Sequence, residues 1–484
     1  MTTLLISNIG TRDIQLDTRD DLPDDIKNPR GELLPRLAGA YLRQQEMVAA
    51  LMERIAMPMV EKALHYIAPR TMQDLQIVLM ATDQPERTPA HFRNNDTIEY
   101  AHLMRDLLFQ RYQRLGLAKK QIRIQTTANN PADYDVMYDY YREALPRIAE
   151  RIAPEDQVYL LIAGGTPQMN TMLLFVGSEV FGAQACPIYV SPDKDRAATL
   201  DILRQIYAQA LRRNLDVLLD AYAYTSAHHL VDQQPEVLEP WQESLLLATL
   251  HYAEARRNLN LEAAVTAFDA TIQGTRALRE AVRTLQQDVT DTSEQNKLQE
   301  TIYLAQIAAE TGNWADFLAR LHRFSEGCMQ LMAEELQVEW SKKTRAGFKE
   351  SWWNANRALL HDLGLADAES PADPAAENRQ REVDRHNLRQ IVGRLAAIQE
   401  RPEYLAALAD LAVVDGPVPL RNDIVHRFSP ISHTEVEKKA GDAVDAVIAR
   451  MRSAYQHAFG IPVPHEHAYV YINRLCRRIF EGDR

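Results

Sequence analysis

The sequence predicts an α/β domain followed by an all-α region, and three observations support this. Short apolar runs alternate with longer amphipathic stretches over residues 1–195. Strand-like runs then stop, and only helical periodicity continues from about residue 196. No run of about 18 apolar residues occurs, so no transmembrane helix is expected. Alternation of this kind is typical of a mostly parallel sheet with helices on both faces.

The individual elements follow from the apolar spacing along the chain. The expected strands are Thr3–Ser7, Leu75–Met80, Gln121–Gln125, Gln157–Ala163 and Pro187–Val190. A long helix is expected over residues 33–67 with a bend at Pro58, and others over 97–115, 133–152 and 168–181. The rest divides into a helical connecting domain (196–297) and a second helical domain (298–484), interrupted by a polar insertion at Ala366–His386.

Charge and cysteine content limit the function. The 484 residues carry a net charge of −13, which argues against a protein that coats nucleic acid through bulk charge. Residues 415–484 differ, with ten Lys and Arg against nine Asp and Glu. Three scattered cysteines and an N-terminus without a signal peptide predict a cytoplasmic protein without disulfides or a cysteine zinc site.

Small and hydroxyl residues follow the predicted strands, where open α/β sheets bind ligands. Ser7-Asn8-Ile9-Gly10-Thr11 follows the first strand, and Gly164-Gly165-Thr166-Pro167-Gln168-Met169-Asn170 follows the fourth. Glycines allow the backbone to approach a ligand closely, and Thr166 can cap a helix whose N-terminus favours an anion. A tight strand-to-helix turn is the structural alternative. Neither GxGxxG after the first strand nor GxxxxGK[ST] is present.

The helical half contains Arg421-Asn422-Asp423-Ile424-Val425-His426. Three Arg-x4-His matches occur in the chain, so the spacing alone is not specific. Only this one has Asn after the Arg and an apolar pair to anchor the segment. On a helix Asn422 and His426 share one face, beside Arg421. Such a trio supports phosphodiester cleavage without metal, with a structural helix terminus as the alternative.

Two further features favour structural interpretations. His465 and His467 flank Glu466, but no third ligand is evident, so we expect an exposed loop and no metal site. Trp352-Trp353 can stack on bases, but we expect the pair to anchor the helical core.

Together, SNIGTRD after the first strand, GGTPQMN after a late strand and RNDIVH in a helical region resemble the CARF–HEPN ribonucleases that accompany type III CRISPR systems. The N-terminal part resembles a Rossmann-like CARF domain, and residues from about 300 resemble a HEPN domain. Their order and separation in one chain make the resemblance specific.

The resemblance implies a homodimer that binds cyclic oligoadenylate as an allosteric activator and cuts single-stranded RNA without metal, leaving a 2′,3′-cyclic phosphate. It assigns catalysis to Arg421, Asn422 and His426. It assigns activator binding to Asn8, Gly10, Thr11, Gly164, Gly165, Thr166, Gln168, Met169 and Asn170. Some members also cleave their activator with a hydroxyl such as that of Thr166, and a cyclic tetra- or hexa-adenylate would be the activator.

Two other functions remain open on the sequence. The chain can be a non-catalytic nucleotide sensor whose helical half docks a partner. It can also be a metabolic enzyme acting on a phosphorylated small molecule, with its site wholly at Gly164–Asn170.

Overall fold

The computed structural model describes residues 2–16, 22–44, 54–67, 72–191, 196–234, 237–268, 274–341, 345–366, 381–421 and 430–482. The chain forms two compact units, Met1–Tyr207 and Ala208–Arg484. The predicted fold class is confirmed: a mostly parallel sheet with helices lies in the first unit, and helices alone build the second. The finer division at residues 195 and 297 stays a prediction.

A six-stranded sheet organises the first unit. Its strands are β1 (Thr3–Asn8), β4 (Leu75–Thr82), β5 (Ile122–Thr127), β6 (Gln157–Leu161), β7 (Ala185–Val190) and β8 (Ala197–Thr199), in the spatial order β5-β4-β1-β6-β7-β8. All neighbours pair in parallel except β7 and β8. β1 and β6 are therefore adjacent central strands, and their carboxyl ends open at the same edge.

Helices cover both faces of this sheet. They are α1 (Pro35–Gln44), α2 (Pro58–Ile67), α3 (Ala90–Arg93), α4 (Ile98–Tyr112), α5 (Tyr134–Ala149) and α6 (Pro167–Phe181). Alternate residues of β1 enter different cores: Leu5 packs on the face with α1 and α4, and Leu4 packs on the face with α5 and α6. The period of two along a strand produces this division.

Two predictions for this unit are wrong. Residues 33–67 are not one helix, because β3 (Ile55–Ala56) lies between α1 and α2 and pairs antiparallel with β2 (Gln15–Leu16). Pro58 begins α2, where its missing N–H is not needed, and does not bend a longer helix. The strand signal also extends past Val190, since Ala197–Thr199 forms β8.

The second unit is built of helices around one core. They are α7 (Ile202–Asp220, which begins in the first unit), α8 (Tyr224–Asp232), α9 (Pro240–Arg257), α10 (Leu261–Thr266), α11 (Arg276–Asp288), α12 (Glu294–Glu310), α13 (Trp314–Glu335), α14 (Glu350–Ala355), α15 (Arg357–Asp362), α16 (Arg385–Ile398), α17 (Pro402–Val414), α18 (His433–Ala440), α19 (Val444–Phe459) and α20 (Ala468–Glu481). Trp352 and Trp353 are buried in this core, as predicted. Across the described ranges, no helix is both long and apolar enough to cross a membrane.

A buried ion pair joins α9 to α12. Arg256 and Glu300 are 3% and 1% exposed, and two guanidinium nitrogens of Arg256 donate to one Glu300 oxygen at 3.0 and 2.5 Å. Tyr252 accepts a further bond from Arg256 at 2.8 Å, and Tyr469 donates to Glu300 at 3.3 Å. Residues on both sides of position 297, which itself lies in α12, therefore share one polar network inside one core.

Candidate functional site

The loops after β1 and β6 touch each other at the carboxyl edge of the sheet. The strands are hydrogen-bonded neighbours, with Ser7 opposite Leu161. A Cβ atom on Gly10 would lie 2.5 Å from the backbone nitrogen of Gly165. No side chain fits at that distance, so residue 10 must be glycine for the two backbones to meet. The structure thus brings two of the sequence-predicted segments together.

Gly164 and Gly165 are both held in the left-handed region, with φ of +75° and +61°. A Cβ on Gly164 would lie 2.5 Å from the Asn8 carbonyl oxygen, and one on Gly165 would lie 2.9 Å from the Asn8 Cβ. Backbone conformation and close packing therefore both require glycine here.

A chain of side-chain hydrogen bonds fixes the two loops beneath this contact. Tyr141 on α5 donates to the side-chain Oδ1 atom of Asn8 at 2.5 Å, and the Nδ2 atom of Asn8 donates to the side-chain oxygen of Asn170 at 2.9 Å. Asn170 in turn donates to the Gly164 carbonyl at 2.5 Å. Asn8 and Tyr141 are fully buried, so the chain is sealed from water on that side. Buried networks of this kind rigidify the backbone that they join.

Thr166 is the N-cap of α6, as the sequence predicts. Its Oγ1 accepts from the Met169 N–H at 3.2 Å and donates to the Pro131 carbonyl at 2.5 Å. Pro167 follows as the first helical residue. The hydroxyl thus has both a donor and an acceptor partner, which ties the β6 loop to the loop after β5. The helix N-terminus above it carries partial positive charge and favours an anion.

Asp13 is a buried carboxyl directly below the two loops. It accepts a bond from the Gly10 N–H, and its Oδ1 atom has no hydrogen-bond partner among the described residues. Burial raises the pKa of Asp13 to about 7, against the lowering effect of the Gly10 N–H. Near neutral pH, this side chain therefore changes charge beside Gly164, whose Cβ position lies 2.5 Å from Asp13 Oδ2.

The nine residues of the predicted activator site differ in their exposure to solvent. Thr11 is exposed, while Gly164, Gly165, Thr166, Gln168 and Asn170 are partly exposed. Asn8 and Met169 are 0% and 1% exposed, so each can act only by supporting its neighbours. Gly10 is also buried.

Sequence reasoning missed two residues of this site. Asp13 stands inside the SNIGTRD motif, and its carboxyl in an apolar, small-residue loop was a visible signal. Tyr141 carries no such signal, because it lies on α5, remote in sequence from Asn8.

In the second unit, only Arg421 of the predicted catalytic trio can be located. It follows a short turn in which its N–H donates to the Val418 carbonyl at 2.9 Å. Asn422 and His426 lie outside the described residues, as does most of the insertion at Ala366–His386. The trio therefore stays a prediction from the sequence.

A cluster of charged side chains surrounds His322 and Asp415, and the charge of Arg421 acts on it. Arg385 donates to Asp415 at 2.9 Å and to the His322 Nδ1 atom at 3.3 Å, and Arg389 also binds Asp415. Burial lowers the pKa of His322, and the charges of Arg385 and Arg421 lower it further. Since Nδ1 accepts a bond, the ring is neutral with its proton on Nε2. One neutral imidazole and three guanidinium groups thus lie close together.

The other candidate histidines are structural. His467 is 1% exposed and lies 3.6 Å from Glu310, with its ring edge-on to Tyr222. The expectation of an exposed loop is therefore wrong for His467, although His465 and Glu466 are exposed. Within the described ranges, no three His, Cys, Asp or Glu side chains are grouped so as to hold a metal ion.

The comparisons with known proteins agree with both units. Residues 286–476 match the family model described as the Cas_Csm6 HEPN domain. The matched residues lie wholly within the helical unit. No curated protein is significantly similar in sequence to this chain.

Among solved structures, the chain is similar to Enterococcus italicus Csm6, bound there to cyclic hexa-2′-fluoro-hexa-dAMP. The match covers 100% of both chains with a TM-score of 0.62 at 15% sequence identity, which shows a shared fold. The resemblance to the CARF–HEPN ancillary ribonucleases of type III CRISPR systems is thereby confirmed.

Proposed function

We propose that this protein is a metal-independent endoribonuclease of CRISPR antiviral defence, activated by cyclic oligoadenylate and cutting single-stranded RNA as a homodimer. The observation that carries the proposal is the joined loop site of the first unit, in the same chain as a region that matches a HEPN family model. A sensor and a nuclease in one chain are the two parts that such regulation needs.

The loop site suits a phosphate-bearing ligand for three reasons. Gly164 and Gly165 are partly exposed and carry no side chain, so a phosphate can reach their backbone atoms. The N-terminus of α6 supplies N–H groups and partial positive charge, with Gln168 partly exposed in its first turn. Thr11 and Asn170 can donate to sugar hydroxyls or base edges. A two-fold axis through this edge would let a cyclic ligand contact both copies.

The catalytic step follows from the residue types of the motif. We assign His426 to remove the proton from the RNA 2′-OH, whose oxygen attacks the adjacent phosphorus. The bond from phosphorus to the 5′-oxygen of the next nucleotide breaks, and that oxygen takes up a proton from water. The products are a 2′,3′-cyclic phosphate and a 5′-hydroxyl. Arg421 stabilises the charge on the phosphoryl oxygens, and Asn422 positions the substrate. No metal is required, because the nucleophile belongs to the substrate.

The partners of Thr166 bear on cleavage of the activator itself. Because its hydroxyl proton is donated to Pro131, Thr166 can donate a hydrogen bond to the reacting phosphate of the activator only after that bond is exchanged. We therefore expect activator cleavage, if it occurs, to be much slower than RNA cleavage, and Thr166→Val to impair activation as well by removing the helix cap.

The decisive experiment measures cleavage of a fluorescent single-stranded RNA with cyclic tetra- or hexa-adenylate, with and without EDTA. We expect one of the two activators to switch on cleavage that EDTA leaves unchanged. His426→Ala should remove at least a hundredfold of the rate, which is the size of a lost general base. The matched control is His386→Ala, since His386 also follows an Arg at the same spacing and is exposed on α16.

Three results would contradict parts of the proposal. Unchanged cleavage in His426→Ala would refute the catalytic assignment, and loss in EDTA would refute metal independence. Tight activator binding without any RNA turnover would favour the non-catalytic sensor instead.

A further inference from the structure

A basic cleft lies at the outer edge of the sheet in the first unit. It has a volume of about 650 Å³ and is lined by residues of α4, β5, α5 and the segments that follow α4 and α5. β5 is the edge strand, so this end of the sheet has no further strand beside it. Six cationic side chains line the cleft: Arg105, Lys119, Lys120, Arg123, Arg147 and Arg151.

The positive charge of this basic cleft is only partly neutralised. Lys119 pairs with Asp106 at 2.6 Å, and Arg147 pairs with Glu143 at 2.6 Å in an exposed position. Over the described ranges, Lys120, Arg123 and Arg151 have no carboxylate within 4.0 Å, and no carboxylate lines the cleft. In a chain with a net charge of −13, such a concentration of cations is unusual.

The charge of Arg123 is in an unfavourable environment. Arg123 is paired in register with Val78, so its side chain emerges on the α5 face of the sheet near Ile148. Its Nε atom is buried without a hydrogen-bond partner. Burial lowers the pKa of Arg123, and the charge of Arg151 lowers it further. A bound anion would supply the missing acceptor and relieve the repulsion.

Protection of the sheet edge does not account for the whole cluster. A single inward-pointing charge on an edge strand is enough to discourage pairing with another chain, and Arg123 alone provides it. Arg147 and Arg151 belong to the end of α5, and Lys119 and Lys120 to the turn before β5. These four add nothing to edge protection, yet all of them line the same cleft.

We propose that this basic cleft binds the phosphodiester backbone of single-stranded nucleic acid, without reading its sequence, at a site distinct from both the activator loops and the nuclease motif. Four of the six cations are arginines, whose planar forks match phosphate oxygens. The cleft is much larger than one phosphate needs, and its cations come from several elements, which suits successive phosphates along a strand.

The absence of base-reading groups sets the specificity. Aromatic side chains, on which bases would stack, do not line the cleft within the described ranges, and Gln125 is its one uncharged polar lining residue there. Contacts to phosphates position a strand but carry no sequence information. The sensor unit would thus hold RNA by charge alone, and binding should depend strongly on salt.

The test measures binding of the full chain to a fluorescein-labelled 2′-O-methyl oligouridine 20-mer by anisotropy between 50 and 200 mM salt, without activator and in EDTA. This probe lacks the 2′-OH nucleophile, so its binding does not depend on whether the protein is a ribonuclease. The test variant is Arg123→Gln/Arg147→Gln/Arg151→Gln. The control, Arg30→Gln/Arg87→Gln/Arg114→Gln, removes equal charge from exposed positions of the same unit that do not line the cleft.

We expect the cleft variant to bind at least tenfold more weakly than the wild type at 50 mM salt. The slope of log affinity against log salt should fall by about 2, since each lost phosphate contact contributes roughly 0.7 on a single strand. The control should change affinity by less than twofold. Equal effects of the two variants would overturn the proposal. It would also be overturned if polyglutamate of matched charge, or inorganic phosphate at millimolar concentration, displaced the probe as well as unlabelled oligouridine does.

Discussion

Gly164→Ala tests the close contact between the two loops of the proposed activator site. Any L-residue in the left-handed region costs about 1–2 kcal/mol. At Gly164 the new Cβ would also lie 2.5 Å from both the Asn8 carbonyl oxygen and Asp13 Oδ2. Ordinary contact begins near 3.4 Å, so this backbone must retreat by roughly 1 Å, which adds about 1–3 kcal/mol. The whole cost is therefore on the order of 2–5 kcal/mol.

Gly31→Ala is the matched control for this change. Gly31 lies in the same unit with φ of +76°, and a Cβ there would meet nothing within 4 Å. It should lower stability only by the conformational term, about 1–2 kcal/mol.

The assay combines thermal unfolding with activator binding by calorimetry. One kcal/mol corresponds to about 2–4 °C in the melting temperature for a unit of this size. We expect Gly164→Ala to lose at least twice as many degrees as Gly31→Ala, and to bind activator at least tenfold more weakly. Equal melting temperatures and intact binding in both variants would refute the contact that joins the loops.

Three further predictions concern other buried groups. The pKa of Asp13 is about 7 in the folded protein against 3.8 for a free side chain, so folding favours the protonated form. The stability that this group contributes is complete below pH 4 and falls by at most about 4 kcal/mol as the pH rises to 7. In Asp13→Asn this contribution to the pH dependence of the melting temperature should disappear over that range. Arg256→Met should destabilise the second unit by about 3–5 kcal/mol in urea, because Glu300 is left buried and unpaired, whereas Arg256→Met/Glu300→Gln should recover much of that loss. Trp353→Ala should cost about 3–5 kcal/mol by the same measurement, and a loss under 1 kcal/mol would contradict its burial in the core.

The sequence predicted the parts of the fold that depend on local pattern. Apolar runs such as Gln157–Leu161 form central strands because both faces of the sheet are covered. Thr166 and Pro167 mark a helix start by their own chemistry. The short strands Gln15–Leu16 and Ile55–Ala56 have only two residues each, too few for any period. Ile55–Ala56 also lies inside the stretch with helical spacing, which concealed it.

The candidate site was predictable to the same extent. The glycines and hydroxyl residues of its loops were found because their types suit a phosphate ligand. Which of these residues are exposed and which are buried could not be predicted, because burial depends on contacts between distant segments, such as that of Tyr141 with Asn8. The charged cluster around His322 and Asp415 was missed for the same reason, since His322 lies about a hundred residues earlier in the chain.

The ion pair between Arg256 and Glu300 has a consequence for how such proteins can be recombined. Arg256 and Glu300 lie on opposite sides of residue 297 in the sequence. Either charge would destabilise the core if it were buried without the other. A chimera joined near residue 297 would contain one of the two charges without the other. That charge would be buried without a partner and would destabilise the core. An exchange that carries Ala208–Arg484 as a whole keeps the pair intact. Different N-terminal units could then be joined to this helical unit without redesigning its interior.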